Sequence, residues 1–128
     1  MSAVVARARA LLGVRFRPQG RSIEQGLDCI GVAIMATGIP EARVPRDYDV
    51  RSSDVEGVHN NLLACGLLRI APESAEAGDL LLVRSGPAQL HLALLTGLGY
   101  LHADARLRRV VEAPGPVPWP VLSAWRSA

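Results

Sequence analysis

The chain has 128 residues, of which 49% are hydrophobic and 20% charged, and its formal net charge is +2 at pH 7. This length and composition predict a single globular domain over residues 1–128, and they exclude a disordered chain or a miniprotein that depends on disulfides. All 14 cationic residues are arginine. Their small surplus over the acidic residues lacks the clustered basic footprint of a nucleic-acid-binding protein, so we expect no nucleic-acid partner.

Membrane insertion and export are also not indicated. No stretch reaches the roughly 20 apolar residues that span a bilayer. The N-terminus lacks the charged, apolar and cleavage regions of a secretory signal. We therefore expect no membrane contact and synthesis in the cytoplasm without a signal peptide, unless the protein leaves the cell inside a larger particle. Cys29 and Cys65 each lie in a helix-like apolar segment, and we expect both thiols to be free.

The first half of the chain predicts three helices, over residues 2–12, 28–37 and 54–66. A Ser or Asp suited to N-capping stands at the start of each: Ser2, Asp28 and Ser53. A glycine follows each: Gly13, Gly38 and Gly66. Residues 14–27 and 39–52 are predicted to be irregular. In the third helix His59 lies off the apolar stripe, so we expect it at the surface.

The second half predicts antiparallel strands over residues 67–70, 80–84, 90–96, 100–103 and 108–112. Residues 85–89 are predicted to form the turn between two of them. The proline-rich C-terminal segment cannot form regular structure before Pro120, and we expect Trp119 and Trp125 to pack over an open edge of the sheet. Helices followed by strands predict an α+β domain, with the N-terminal helices packed on a C-terminal antiparallel sheet.

Cys29 begins the second helix, directly after Asp28. The unpaired N–H groups and the positive dipole end of a helix N-terminus lower the pKa of a thiol, and the thiolate is the nucleophilic form. The alternative is structural, because free cysteines are among the most buried residue types. Partners elsewhere in the chain must therefore decide whether Cys29 is a nucleophile.

A thiol nucleophile needs a base and a group that orients the base. If Gly97 and Leu98 are the centre of a type II′ turn, Thr96 faces Gly99 and His91 and His102 share one face of the hairpin. The rings are then diagonal neighbours within reach of each other. A three-residue turn would place them on opposite faces. The alternative chemistry is a zinc site with Cys29 and both histidines as ligands, but a fourth ligand and a short-spacing motif are missing.

Four blocks of the sequence occur in the order of one family's motifs. Residues 26–31, Gly-Leu-Asp-Cys-Ile-Gly, match Gly-Phe-Asp-Cys-Ser-Gly, and residues 77–80, Ala-Gly-Asp-Leu, match Pro-Gly-Asp-Leu. Residues 12–17 are similar to the family's segment before the cysteine, and residues 91–103 to its hairpin His-Val-Gly-Ile-Tyr…Phe-Ile-His-Ala. Together the blocks resemble the NlpC-type papain-like cysteine peptidases that cut peptides of the bacterial cell wall, and the resemblance extends over most of the chain, residues 3–112.

The resemblance implies a papain-like NlpC-type fold and assigns roles to the matching residues. By it, Cys29 is the nucleophile, His91 the base and His102 the residue that orients His91, with the backbone N–H of Cys29 in the oxyanion hole. Asp28 matches an aspartate that helps to bind the free amino end of the substrate. Phe16 replaces a tyrosine that lines the site, and Ile30 replaces a serine, which puts substrate contacts at both positions in doubt.

The resemblance therefore predicts a cysteine endopeptidase acting on peptidoglycan stem peptides, without a metal or other cofactor. A short member without an export signal most resembles peptidases of phage tails or gene transfer particles, whose partners are phage-tail-like proteins. Two alternatives remain open. One is an amidase or acyltransferase with the same triad, because fold and triad do not fix the acyl group. The other is a structural tail module whose active site has decayed, as Phe16 and Ile30 would allow.

Overall fold

The computed structural model describes residues 2–44 and 54–127. Residues 45–52 of the irregular stretch predicted over residues 39–52 lie outside these ranges, as does the predicted cap Ser53. Three helices precede most of the strands: α1 (Ala3–Arg9), α2 (Cys29–Thr37) and α3 (Val55–Ala64). A two-stranded hairpin, β1 (Arg21–Ser22) with β2 (Gly26–Leu27), lies between α1 and α2. No helix in the described residues is long and apolar enough to span a membrane.

The main sheet has six antiparallel strands in the order β3-β8-β4-β5-β6-β7. They are β3 (Leu68–Ile70), β4 (Leu80–Gly86), β5 (Gln89–Leu95), β6 (Gly99–Asp104), β7 (Arg109–Pro114) and β8 (Val121–Arg126). The predicted α+β class is therefore confirmed. Leu90, Leu92 and Leu94 of β5 join the helices in the larger of two apolar clusters, and the opposite face of the sheet carries the smaller one.

Helix α2 is the central element of the molecule. It packs on α1 and on strands β5 and β6, and it is apolar on nearly all sides, which is the pattern of a buried helix. The Asp28 carboxylate accepts a hydrogen bond from the Gly31 N–H at 2.8 Å, and Gly38 ends the helix with a left-handed φ of 77°. Both predicted ends of α2 are thus confirmed. In α3 the N-cap is Asp54, whose carboxylate accepts from the Gly57 N–H at 2.9 Å.

The loop before α2 is held close to the start of that helix. Residues 14–16 pair with residues 108–110 at the edge of the main sheet, and the short β1–β2 hairpin brings the chain back to Asp28. A Cβ atom on Gly31 would collide with the carbonyl oxygen of Gly20. The absence of a side chain at Gly31 therefore allows this loop to form one wall beside Cys29.

The C-terminal segment corrects one prediction. Residues 121–126 do not cover a sheet edge but form β8, an interior strand between β3 and β4. Trp125 is completely buried there, and its indole N–H donates to Ser123 Oγ at 2.9 Å. The strand starts immediately after Pro120, the last residue unable to donate a backbone hydrogen bond. Trp119 lies elsewhere, among residues of the candidate site described below.

His59 corrects another prediction, because it is buried and not at the surface. Helix α3 directs it toward β8, where its Nε2 is 3.0 Å from Ser123 Oγ and its ring centroid is 5.5 Å from that of Trp125. A buried polar side chain requires such partners. The apolar stripe alone could not reveal this contact, since the partner strand was not predicted.

Candidate active site

The β5–β6 hairpin has the register that the sequence predicted. Leu95 pairs with Tyr100, and the Thr96 N–H donates to the Gly99 carbonyl at 2.9 Å. The predicted turn type is wrong, because Gly97 does not have the positive φ that the first central residue of a type II′ turn requires. Instead, the Thr96 hydroxyl accepts a hydrogen bond from the Gly99 N–H at 2.9 Å. The side chain of Thr96 thus stabilises a tight turn, and His91 and His102 lie on one face.

The two histidines contact each other directly. His91 Nε2 lies 2.9 Å from His102 Nδ1, a hydrogen-bond distance. Burial, and then the nearby His102, lower the pKa of His91 to about 4, and burial also lowers the pKa of His102. Both rings are therefore neutral at pH 7. Because Nε2 of His91 is engaged with His102, Nδ1 is the ring nitrogen of His91 that remains for a reaction partner.

Backbone pairing between strands β5 and β6 stops just before His102. In the described chain their backbone pairing consists of Leu94 with Leu101 and Leu95 with Tyr100, although both strands continue beyond these pairs. Helix α2 packs against both strands, and its first residue, Cys29, borders the same open cleft as His91 and His102. The cleft has a volume of about 1280 Å³. The three predicted residues therefore lie in one cavity.

The Cys29 thiol is protonated at neutral pH. Burial, and then the negative charge of Asp28, raise the pKa of this thiol to about 12, although the backbone N–H groups of Leu92 and Ile30 oppose the shift. Among the described residues no hydrogen bond joins this thiol to His91. The expected lowering by the helix N-terminus is thus overcome, because water is excluded and Asp28 places a negative charge beside the sulfur.

The Asp28 carboxylate has several partners within the protein. It accepts from the backbone N–H of Gln19 at 3.0 Å and pairs with the Arg21 guanidinium at 3.0 Å, in addition to its capping bond in α2. It is only 7% exposed. Asp28 therefore joins the preceding loop to the start of α2, and an amino group of a substrate would have to share its carboxylate with Arg21.

Phe16 and Ile30 differ in position. Phe16 borders the cleft, where the sequence predicts a substrate contact. Ile30 points instead into an apolar cavity between α2 and α3, with Val58 and Leu62 among its neighbours. The reason is helical geometry, since successive residues of α2 point about 100° apart. The described structure thus gives Ile30 a packing role and places it outside the cleft.

Sequence reasoning missed several further cleft residues, among them Tyr100, Asp104 and Trp119. The Trp119 ring centroid lies 5.3 Å from that of His102 and 5.5 Å from that of His91, so the indole shields the histidine pair. Tyr100 and Asp104 lie two residues before and after His102, and alternation along β6 could have indicated their shared face. No local signal indicated Trp119, because its position depends on where β8 inserts.

A metal site receives no support from the arrangement of side chains. Within residues 2–44 and 54–127, no group of three or more His, Cys, Asp or Glu residues is placed to hold an ion. His91 Nε2 and His102 Nδ1 are hydrogen-bonded to each other, and this contact would have to break before both nitrogens could bind one metal ion.

Comparison with solved structures identifies the architecture. The NlpC/p60 domain of the peptidoglycan hydrolase SagA superposes with a TM-score of 0.59 and 25% identity, over 88% of this chain and 86% of that one. The fold is that of NlpC/p60 domains. The P60 domain of antigen MAP1204 from M. avium subspecies paratuberculosis gives a TM-score of 0.66 at 20% identity, over 98% of this chain and 91% of that domain.

A third NlpC/p60 structure shows that the fold does not guarantee catalysis. RipD from Mycobacterium tuberculosis, described as a non-catalytic domain adapted to peptidoglycan binding, gives a TM-score of 0.59 at 22% identity, over 97% of this chain and 93% of that one. No protein-family model matches the present sequence, and no curated protein sequence does. The function must therefore be argued from the cleft and its side chains.

Proposed function

We propose that this chain is a cysteine peptidase that hydrolyses peptide bonds in the stem peptides of bacterial peptidoglycan. The observation that carries the proposal is the 2.9 Å contact between His91 and His102 in the cleft that Cys29 borders. A nucleophile, a base and a group that orients the base are the parts that covalent catalysis requires. The NlpC/p60 fold of the SagA peptidoglycan hydrolase domain supports the choice of substrate.

The raised pKa of Cys29 and the lowered pKa of His91 favour general-base catalysis over a preformed ion pair. In the proposed reaction His91 Nδ1 takes the thiol proton while sulfur bonds to the carbonyl carbon of the scissile amide. The C–N bond then breaks, and the amine leaves with the proton from His91. Water, deprotonated by His91, hydrolyses the thioester, and the proton returns to sulfur as the acid product leaves.

The test is release of soluble fragments from purified peptidoglycan. We expect the wild-type chain to release peptides, and Cys29→Ser to lower the rate by about 10²-fold or more, because an alcohol is a far weaker nucleophile than a thiol paired with a base. Cys65→Ser is the matched control, since Cys65 lies outside the cleft, and it should retain the wild-type rate. Equal rates for wild type and Cys29→Ser would refute the proposal.

Product analysis separates the peptidase from the amidase or acyltransferase alternative. Mass spectrometry of peptidase products shows cleavage within the stem peptide, whereas an amidase frees the whole stem from the sugar. Whole stems as the only products would overturn the choice of a peptidase. The further hypothesis that the protein is part of a phage-tail-like particle rests on the sequence resemblance alone. It predicts that the chain sediments with such particles in a density gradient.

A second candidate function is peptidoglycan binding without catalysis. The observation in its favour is the Cys29 thiol, whose pKa burial raises to about 12 and which makes no hydrogen bond to His91 in the described structure. RipD provides a non-catalytic precedent on this fold. Sedimentation with insoluble peptidoglycan tests this candidate. Equal binding by wild type and Cys29→Ser, without fragment release by either, would establish it in place of the peptidase.

A further inference from the structure

Asp104 ends strand β6, two residues after His102, and therefore lies on the same side of the strand. Its Oδ1 accepts hydrogen bonds from the backbone N–H groups of Arg106 at 2.8 Å and Leu107 at 3.0 Å, which hold the carboxylate in the turn after β6. Its Oδ2 lies 3.8 Å from His102 Nε2. The two oxygens thus have different partners, and the second one is directed to the ring of His102.

The ring of His102 lies between His91 and Asp104, which contact its two different nitrogens. Its Nδ1 contacts His91 Nε2 at 2.9 Å, and its Nε2 faces the Asp104 carboxylate. A neutral imidazole carries one proton, so one of its nitrogens donates and the other accepts. A carboxylate anion attracts a ring nitrogen that carries a proton and repels one that carries a lone pair. This electrostatic preference acts even at a separation that is too long for a direct hydrogen bond.

We propose that Asp104 is a positioning residue that sets the proton arrangement of the whole His91–His102 pair. Its negative charge favours the form of His102 with the proton on Nε2. Nδ1 of His102 is then an acceptor, so His91 Nε2 must carry the proton that it donates across the 2.9 Å contact. His91 Nδ1 is consequently unprotonated, which is the form that a base requires. The value of this arrangement for catalysis rests on the proposed peptidase function.

The surroundings of Asp104 support its charged state. Although burial opposes it, the N–H groups of Leu107 and Arg106, followed by His102 when that ring is protonated and by the charge of Arg106, lower the pKa of Asp104 below its ordinary value. The side chain is 22% exposed, so screening by water weakens its charge only in part. The Trp119 ring lies against both histidines, which limits the access of water to the pair and keeps the electrostatic contact effective.

Asp104→Asn should change which nitrogen of His102 carries the proton while it preserves the turn after β6. The asparagine Oδ1 still accepts from Arg106 and Leu107, but its amide now donates toward His102 Nε2. We expect the proton of His102 to move to Nδ1, and that of His91 to move to Nδ1 as well. Imidazole ¹⁵N chemical shifts at pH 7 report these positions directly. Wild type should show Nε2–H on both rings, and Asp104→Asn should show Nδ1–H on both.

Asp54→Asn is the matched control, since Asp54 caps α3 away from the cleft and asparagine caps equally well. It should leave both imidazole spectra unchanged. Asp104→Ser is a second variant, because it keeps an acceptor for the turn but removes the charge. It should give a mixture of the two proton arrangements. Nδ1–H on His91 in the wild type, or no change in Asp104→Asn, would overturn the proposal.

We expect kcat to fall about 10²-fold in Asp104→Asn while KM stays unchanged. The variant loses the unprotonated Nδ1 of His91 as a base but loses no contact with the substrate. A fall in kcat without a change in the ¹⁵N spectrum would indicate a structural effect and overturn the assignment to Asp104. The spectra do not depend on activity. A proton shift in a protein that cleaves nothing would support the role of Asp104 and contradict the peptidase function.

Discussion

At the scale of single residues, the cleft contains groups whose charged forms are disfavoured by burial. The Cys29 thiol and the His91 imidazole both stay neutral at pH 7, because the separated charges would lose the solvation of water. Asp28 adds to this effect at Cys29 by placing a carboxylate beside the sulfur. The capping that starts α2 at the cysteine thus also makes the thiolate harder to form.

The lowered pKa of His91 predicts a pH dependence of stability. In the unfolded chain His91 binds a proton below pH 6.5, whereas in the folded protein it does so only near pH 4. The unfolded state therefore binds more protons between these values, and the free energy of unfolding falls as the pH falls through this window. The loss is at most about 3 kcal/mol for the shift from 6.5 to about 4.

Urea unfolding of wild type and His91→Gln between pH 4 and pH 7 measures this contribution. Glutamine does not titrate and can still hydrogen-bond to His102, so the variant should lose less stability on acidification than the wild type. The difference between the two curves isolates His91 from the carboxylates that also titrate there. Parallel curves would show that the imidazole has an ordinary pKa in the folded protein.

At the scale of elements, two close approaches position the site. One is the β5–β6 turn, closed by Thr96, which places both histidines on one face. The other is the contact of the Gly20 loop with the first turn of α2 at Gly31. Because a side chain fits at neither the Gly20 nor the Gly31 position, the loop wall and the helix are fixed relative to each other by van der Waals contact.

Gly31→Ala and Gly97→Ala separate these two glycines. A Cβ at Gly31 meets backbone atoms of Gly20, so we expect a loss of about 1–3 kcal/mol despite the better helix propensity of alanine. Gly97 has open space around its Cβ position and no left-handed φ. Its substitution should change stability by less than about 0.5 kcal/mol. Thermal unfolding measures the stability of both variants. A large loss of stability in Gly97→Ala would indicate that the turn is of the predicted type II′ after all.

At the scale of the whole molecule, strand β8 completes the sheet. It pairs with β3 on one side and β4 on the other, so the last strand in sequence lies inside the sheet. The Arg126 guanidinium at its end pairs with Asp79 at 2.8 Å, next to the start of β4. The segment before β8 consequently passes over the cleft face and brings Trp119 to the histidines.

The two tryptophans should therefore respond differently to substitution. Trp125 is completely buried, and Trp125→Ala should lower the free energy of unfolding by about 3–5 kcal/mol. Trp119 is partly exposed at the cleft, and we expect Trp119→Ala to cost less than half as much. Urea titration of both variants tests this. An equal loss in both would mean that Trp119 also supports the core.

The order of the three helices and of strands β3–β7, the start of α2 and the hairpin register could all be predicted from the sequence. These features depend on local chemistry: the Asp28 cap, the left-handed Gly38, and the alternation that links residues 91 and 102 across a two-residue turn. Pattern and capping act within a few residues along the chain, so they can be found without knowledge of the fold.

Features that join distant segments of the chain could be seen only in the folded structure. The insertion of β8 buried Trp125, gave His59 a polar partner in Ser123 and moved Trp119 to the cleft. Packing also reversed the expected effect on the Cys29 thiol, because a helix N-terminus lowers a pKa only where water or an unopposed positive field can stabilise the anion. Desolvation is a property of everything that surrounds a group, and a sequence pattern does not contain it.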